Sequence, residues 1–288
     1  MTQDTTREIL KRAEPNLTRA ERQLCATILH NYPMSGLGSI TRLAEKAGVS
    51  TPTVVRMVQK LGFSGFPAFQ SALRDELEAQ ISGPIAKYDN WAEQAPETHL
   101  LNRFTEAVID NIRQTLGQID PAAFDQVVEL LADKQRKLFI AGGRITHALS
   151  EYLFLHMQGI RPRVAQVPAH SNAWPHAVLD MEEGDVLVIY DIRRYENSAL
   201  KLARIAAQRG VIVVLVTDQW QSPVAKHAGH IFNCRIGAPS AWDSTVAMML
   251  LSETLIAAVD EAAWDRAKSR MKELEGLFDA TKIFRKFV

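Results

Sequence analysis

Three short stretches in the second half of the chain combine glycine, hydroxyl and charged residues at spacings that suit a small ligand. Gly142-Gly143-Arg144-Ile145-Thr146 follows an apolar run and opens a helical pattern. Main-chain N–H groups at such a helix start, with the Thr146 hydroxyl, suit a phosphate or carboxylate. Asp191-Ile192-Arg193-Arg194-Tyr195-Glu196 follows another apolar run. Its adjacent arginines can clamp an anion through bidentate bonds, or pair with Asp191, Glu196 or a second subunit, and the residues leave both readings open. His170, Ser171, Asn172 and Trp174 add polar groups and one aromatic ring that can line the same cleft. His147 and His156 read as packed or helix-surface histidines. Val216-Thr217-Asp218 and Ser222-Pro223 read as a strand end and the cap of the next helix. The dinucleotide spacing G-x-G-x-x-G and the P-loop lysine-serine pair are absent, and no His/Cys/Asp/Glu cluster has metal spacing. No cofactor and no metal are therefore expected. Glu253 and His170 are the candidate bases for a sugar-phosphate isomerase, the enzyme alternative, yet nothing in the sequence pairs either with an assisting group.

A different chemistry lies between Ser39 and Phe66. Two short helical patterns flank the turn Ala47-Gly48-Val49-Ser50. Ile40, Leu43, Ala44 and Ala47 make one apolar face, and Val54, Val55, Val58 and Leu61 make the other. Ser39 suits the cap of the first helix and Ser50 that of the second, with Pro52 in its opening turn. This is a helix-turn-helix pattern, and it leaves Thr51, Pro52, Thr53, Arg56, Gln59 and Lys60 outward. Hydroxyls, an amide and two cations on one face suit a DNA major groove. From Leu37 to Gln70 the cations Arg42, Lys46, Arg56 and Lys60 face one acid, Glu45. Phe63, Phe66 and Phe69 are expected to close the core beneath the second helix. Gly65 is positioned to bring its N–H against a phosphate.

These residues carry a resemblance. LTRAERQLCATIL, followed by SITRLAEKAGVSTPTVVRMVQKLGFSGFPAFQ, with GVS-x-x-T-V-x-R and K-L-G-F-x-G-F within it, closely resembles the N-terminal domain of RpiR/MurR-type bacterial transcriptional regulators. The resemblance continues into a C-terminal sugar isomerase (SIS) domain and covers nearly the whole chain. It implies a dimeric DNA-binding regulator whose SIS domain binds a sugar phosphate or related effector. It also exposes a departure. SIS domains that bind sugar phosphates usually carry S-x-S-G-x-T after the strand that here ends near Tyr190. Asp191 and Arg193 stand where the two serines would be, and Arg194 where the glycine would be. The first loop lacks its usual serine, with Thr146 one position later. The effector expected is therefore an acid or an atypical phosphorylated metabolite.

Periodicity and composition give the scaffold around these residues. The 288 residues carry 33 cationic and 33 acidic side chains, so the basic face is local and the chain is no general polyanion binder. Thr18 and Glu21 form a capping box opening a helix to about Asn31. Residues 1–81 read as an all-α helix-turn-helix domain, 82–98 as a linker, and 99–288 as an SIS-like effector-binding and dimerisation domain. In the last, strands at Leu138–Ile140, Val164–Val167, Asp185–Tyr190, Val211–Thr217 and His230–Cys234 alternate with helices. This pattern gives an α/β three-layer sandwich with a parallel sheet, the continuous apolarity of Val211–Thr217 marking that strand as central. Ser244–Val259 reads as a long apolar helix that dimerises. No apolar run is long enough to span a membrane, and Cys25 and Cys234 read as buried thiols. The expected partners are double-stranded DNA, a small effector and a second copy (dimer or tetramer) in the cytoplasm. An architectural DNA-binding protein without effector conflicts with more than half the chain forming an α/β domain.

Overall fold

The computed structural model describes residues 4–92, 98–169 and 173–284. The chain divides into two compact units, one of residues 1–96 with 240–242 and one of residues 97–239 with 243–288.

The first unit is helical. Helix α1 (Thr6–Ala13) opens on a Thr5/Glu8 capping box, and α2 (Arg19–His30) on the expected Thr18/Glu21 box. These reciprocal bonds satisfy main-chain donors that a helix start leaves free. Then come α3 (Ile40–Ala47), α4 (Thr51–Lys60), α5 (Phe66–Ile81) and α6 (Pro84–Ala92). The stretch expected to be a linker is thus partly a nine-residue helix. Leu24, Ile28, Leu43, Val54, Met57, Val58, Phe69 and Leu73 meet in one core from which solvent is excluded. Phe63 packs edge-on against Phe69 with centroids 5.3 Å apart, and Phe66 stacks on Phe69 at 6.1 Å. The aromatics close the core, as their spacing indicates. Tyr32 donates its hydroxyl to Glu76, tying the end of α2 to α5.

The second unit starts with α7 (Leu100–Gln118) and α8 (Pro121–Ala132). It continues as β1 (Leu138–Gly142), α9 (His147–Ile160), β2 (Val164–Gln166), α10 (Trp174–Leu179) and β3 (Val186–Asp191). After these come α11 (Asn197–Gln208), β4 (Ile212–Asp218), β5 (His230–Cys234), α12 (Val246–Ala262) and α13 (Trp264–Thr281). The strands form one parallel sheet in the order β2-β1-β3-β4-β5. The centre is therefore β3; β4, expected there, is interior but one place off, and continuous apolarity marks any strand covered on both faces. Phe139, Leu187, Ile189, Val213 and Leu215 pack against Leu202, Ala203 and Ala206 of α11. The alternate residues face α9 and α12, where the Tyr190 hydroxyl lies 2.7 Å from Ser252 Oγ. Both thiols are free and buried, and burial pushes Cys25 up to about 11.

The order 2-1-3-4-5 sets the site. After β1 the chain turns to one side of the sheet to make β2, and β3 then starts the other side. The loops leaving β1 and β3 diverge, opening a crevice at their carboxyl ends.

Candidate functional sites

The DNA-facing candidate is built from α3, α4 and their turn. Ser39 caps α3, its Oγ accepting the Arg42 N–H at 3.2 Å. Gly48 ends α3 in the left-handed region (φ +62°), which a side chain adopts only with strain. Helix α4 buries Val54, Met57 and Val58, with Leu61 just beyond its end. Val55, expected inside, is only half-buried: positions 54, 57, 58 and 61 complete one helical stripe, and 55 lies about 100° round from 54. Met57 is the core residue that the valine-rich reading passed over.

Pro52, Arg56 and Gln59 are exposed, and Thr51 and Thr53 half so. Ser50 occupies the cap position of α4 without the expected cap bond; its hydroxyl instead lies 2.9 Å from Thr53 Oγ1. The Arg56 guanidinium leans toward that same oxygen at 3.5 Å. Lys60 folds back along the protein, donating to the Asn16 carbonyl at 2.7 Å and to Glu21 at 3.1 Å. In this structure the Lys60 ammonium ties α4 to the start of α2, because the capping carboxylate of Glu21 is within reach. Gly65 caps α5 with extended backbone, and the Phe69 N–H donates to its carbonyl.

The small-molecule candidate lies at the β1 and β3 ends. A Cβ on Gly142 would come 2.5 Å from the Thr146 carbonyl oxygen, so only glycine lets the loop turn back on itself there. The Thr146 hydroxyl accepts the Gly143 N–H and donates to the Tyr190 carbonyl, both at 2.8 Å. Thr146 is thus a buried staple between the two strand ends, where the sequence pattern pointed to a ligand donor. The Arg144 side chain is exposed, while its N–H donates to Glu196 Oε1 at 2.8 Å.

The second loop is held by three carboxylates. Asp191, 3% exposed, accepts from the Ser222 hydroxyl and the Glu196 N–H. Asp218, fully buried, accepts the N–H groups of Arg193 (2.6 Å) and Trp220 (3.0 Å) and the Tyr195 hydroxyl (2.8 Å). Burial raises both acids to about 6 despite these donors. Asp243 takes the Arg193 guanidinium, through Nε at 3.0 Å and through Nη2, while Trp220 lies beneath it at 4.7 Å. Of the two open readings, internal pairing describes Arg193, with Asp243 as its partner; the sequence pattern did not single out that acid, 50 residues away. Arg194 is exposed at φ +65°, in the place assigned to a glycine.

Trp174 lines a cavity beside these loops together with Val167, Ile189, Glu196, Ser198 and Leu202. The shielded Trp174 Nε1–H has no hydrogen-bond partner among the described residues. His170, Ser171 and Asn172 lie outside the described residues. Glu253 is exposed on α12, across the sheet from α11, where it accepts from Tyr152 at 3.2 Å. It is not in the cleft and cannot serve there as a base. His156 rests on Tyr152 at 4.5 Å, a helix-surface contact.

A helix-turn-helix unit and a parallel sandwich with a crevice at its switch point define a DNA-binding regulator that senses a small metabolite. The chain matches the description "Helix-turn-helix domain, rpiR family" over residues 5–80 and "SIS domain" over residues 130–258. The chain thus matches the RpiR/MurR type of helix-turn-helix and SIS transcriptional regulator in both of its parts. Its relatives include an uncharacterised HTH-type regulator of Haemophilus influenzae, 24% identical over 75% of each chain. HexR of Pseudomonas aeruginosa is 26% identical over 73% of this chain and 72% of its own. RpiR of Escherichia coli K12 is 24% identical over 77% and 73%. Among solved structures, the sugar isomerase domain of an RpiR transcription factor from Sphaerobacter thermophilus overlays with a TM-score of 0.57, 22% identity and coverage of 61% and 97%. The Vibrio vulnificus NanR protein complexed with ManNAc-6P overlays at 0.54, 19% identical, over 95% and 98%. These curated relatives are described as transcriptional regulators.

Proposed function

We propose that this regulator reads DNA through α4 and changes its affinity when a small carbohydrate-derived metabolite enters the crevice at the ends of β1 and β3. The observation that carries the DNA reading is the outer face of α4. Pro52, Arg56 and Gln59 stand in solvent there, while the opposite face is fully buried. Arg56 is the base-edge candidate, with Thr51, Thr53 and Gln59 beside it; Ser39, Ser50 and Gly65 sit at helix starts suited to phosphate. The neighbour complexed with ManNAc-6P supports a carbohydrate-derived effector, and the crevice at the ends of β1 and β3 is where it would sit. A coupling of about 1–3 kcal/mol between the two sites is the usual range for such a switch.

One reading head covers a short site, so operator recognition calls for two heads across a palindrome. Exposed Leu155 on α9 and Val246 on α12, helices that pack together, offer an apolar face for a second copy. No described helix is long and apolar enough to cross a membrane, and it is the DNA target proposed here that supports a cytoplasmic location. Genomic binding-site mapping tests the proposal, followed by anisotropy titrations of the recovered sites with candidate metabolites. Salt-independent, sequence-indifferent binding would remove it.

A further inference from the structure

The end of the sheet away from the crevice holds a second cavity, and its lining is cationic. It has a volume of about 200 Å³ and lies where α8 and α9 end and α13 begins, beside the amino ends of β1 and β2. Lys134, Arg161, Arg266 and Arg270 line it with Ser269, against one acid among the described lining residues, Glu273. Arg161 is buried. Its guanidinium donates to the carbonyls of Leu131, Arg136 and Pro162 but to no carboxylate among the described residues. The acids that act on it electrostatically are engaged elsewhere, Asp133 by Arg136 and Asp185 by the N–H groups of Lys137 and Glu182. Burial lowers the Arg161 pKa to about 10, so the group stays charged at neutral pH. A guanidinium in a desolvated position without a counter-ion is costly, and an anion in the cavity would relieve that cost.

The negative dipole ends of α8 and α9 account in part for Lys134 and Arg161. The start of α13 does the opposite. Arg266 is the third residue of that helix, in the turn where the dipole disfavours a cation, and its side chain has no partner among the described residues. Arg270, one turn on, gives its Nε–H to the Gln158 carbonyl at 2.8 Å, which leaves its two terminal nitrogens for a ligand. Four cations converge on one concavity instead of spreading along a face, an arrangement that suits a compact anion better than a duplex. We propose that this cavity is a second small-molecule site, for a compact anion with at least two negative charges, such as pyrophosphate or a phosphorylated carboxylic acid. The arginine forks take phosphoryl oxygens in pairs, the Lys134 ammonium supplies a point charge, and the Ser269 hydroxyl donates to a remaining oxygen. The bound anion ties the end of α9 to the start of α13. The site stands apart from the crevice, which lies at the carboxyl ends of the same strands.

The test is calorimetric titration of inorganic pyrophosphate into the full-length protein at an ionic strength of about 0.15 M, where loose attraction between exposed charges is screened. The wild type is expected to bind saturably, one pyrophosphate per chain, and to melt at a higher temperature in its presence. Combining Lys134→Gln with Arg266→Gln removes two exposed cations whose side chains hold nothing else among the described residues, and should weaken binding at least about tenfold. Lys268→Gln removes a charge from the same helix outside the cavity and should leave binding unchanged. Thermal melts establish that each variant is folded. If the double variant is not, Glu273→Gln decides the matter and must bind more tightly than wild type. Absence of saturable wild-type binding overturns the proposal. So does a folded double variant that binds as tightly as wild type, or an equal loss in Lys268→Gln. Two further arms place the anion. If Arg194→Gln, at the crevice, weakens binding and the double variant does not, pyrophosphate sits in the crevice and this assignment falls. If the double variant loses DNA affinity by anisotropy with no anion present, the cations face a DNA backbone and the assignment falls as well.

Discussion

Arg56 is the side chain on which sequence-specific reading should turn. It is exposed, at the centre of the outer face of α4, and it touches Thr53 only through a 3.5 Å approach that DNA readily replaces. Arg56→Ala should cost about 1–3 kcal/mol of operator affinity through loss of a guanine contact, with nonspecific binding far less affected. Competition anisotropy against mapped and scrambled sites reads this directly. Asp191 makes a pH prediction. Burial raises its carboxyl to about 6 from an ordinary 3.8, so the native state holds a proton that the unfolded chain has released between those values. Its stabilising contribution is therefore present on the acid side and is lost as pH rises through about 6. Asp191→Asn removes that titration. The melting-temperature gap, wild type minus variant, should be larger at about pH 5 than at about pH 7.5; a constant gap would show that Asp191 does not titrate in this range.

Among the elements, α3 and α4 act as one unit because the turn between them is fixed. The Gly48 N–H returns to Glu45 O at 3.1 Å and the Val49 N–H to Ala44 O at 3.0 Å, closing α3 in a left-handed cap. Gly48→Ala should destabilise this unit by about 1 kcal/mol, since a Cβ at positive φ is strained. Urea melts followed by circular dichroism test the cost, and unchanged stability would mean that the turn relaxes. Lys60 belongs to this scale too. It links α4 to Asn16 and Glu21, so its effect on DNA is expected through the placement of α4 rather than through a phosphate of its own.

For the whole molecule, the governing quantity is the number of reading heads in one assembly. Two copies paired through α9 and α12 would bury Leu155, which is 58% exposed in one chain. Sedimentation of the full-length protein should show a dimer or larger at micromolar concentration. Leu155→Glu should shift it toward monomer, and operator affinity should fall by more than about tenfold, because half the contacts are lost with the second head. A Leu155→Glu protein that remains a dimer would place the interface elsewhere.

Much of this architecture is legible along the chain, because local physics sets it. The Thr18/Glu21 box, Gly48 after an apolar period and the stripe of Val54, Val58 and Leu61 specify helices from residues a few positions apart. Alternation of apolar runs with helical patterns specifies the parallel sandwich, and the strands fall close to their expected ends. The loop glycines and hydroxyls also pointed to the crevice at the β1 and β3 ends. What the side chains do there depended on partners brought together only by the fold. Asp243 reaches Arg193 across 50 residues, Glu196 reaches Arg144 across 52, and Glu21 reaches Lys60 across 39. A charge shows in sequence as a charge, whereas its availability to a ligand is set by which opposite charge or N–H the tertiary structure places against it. The run from Asp191 to Glu196 therefore announced an electrostatic site by its composition. Whether that site attracts or refuses an anion was decided by packing.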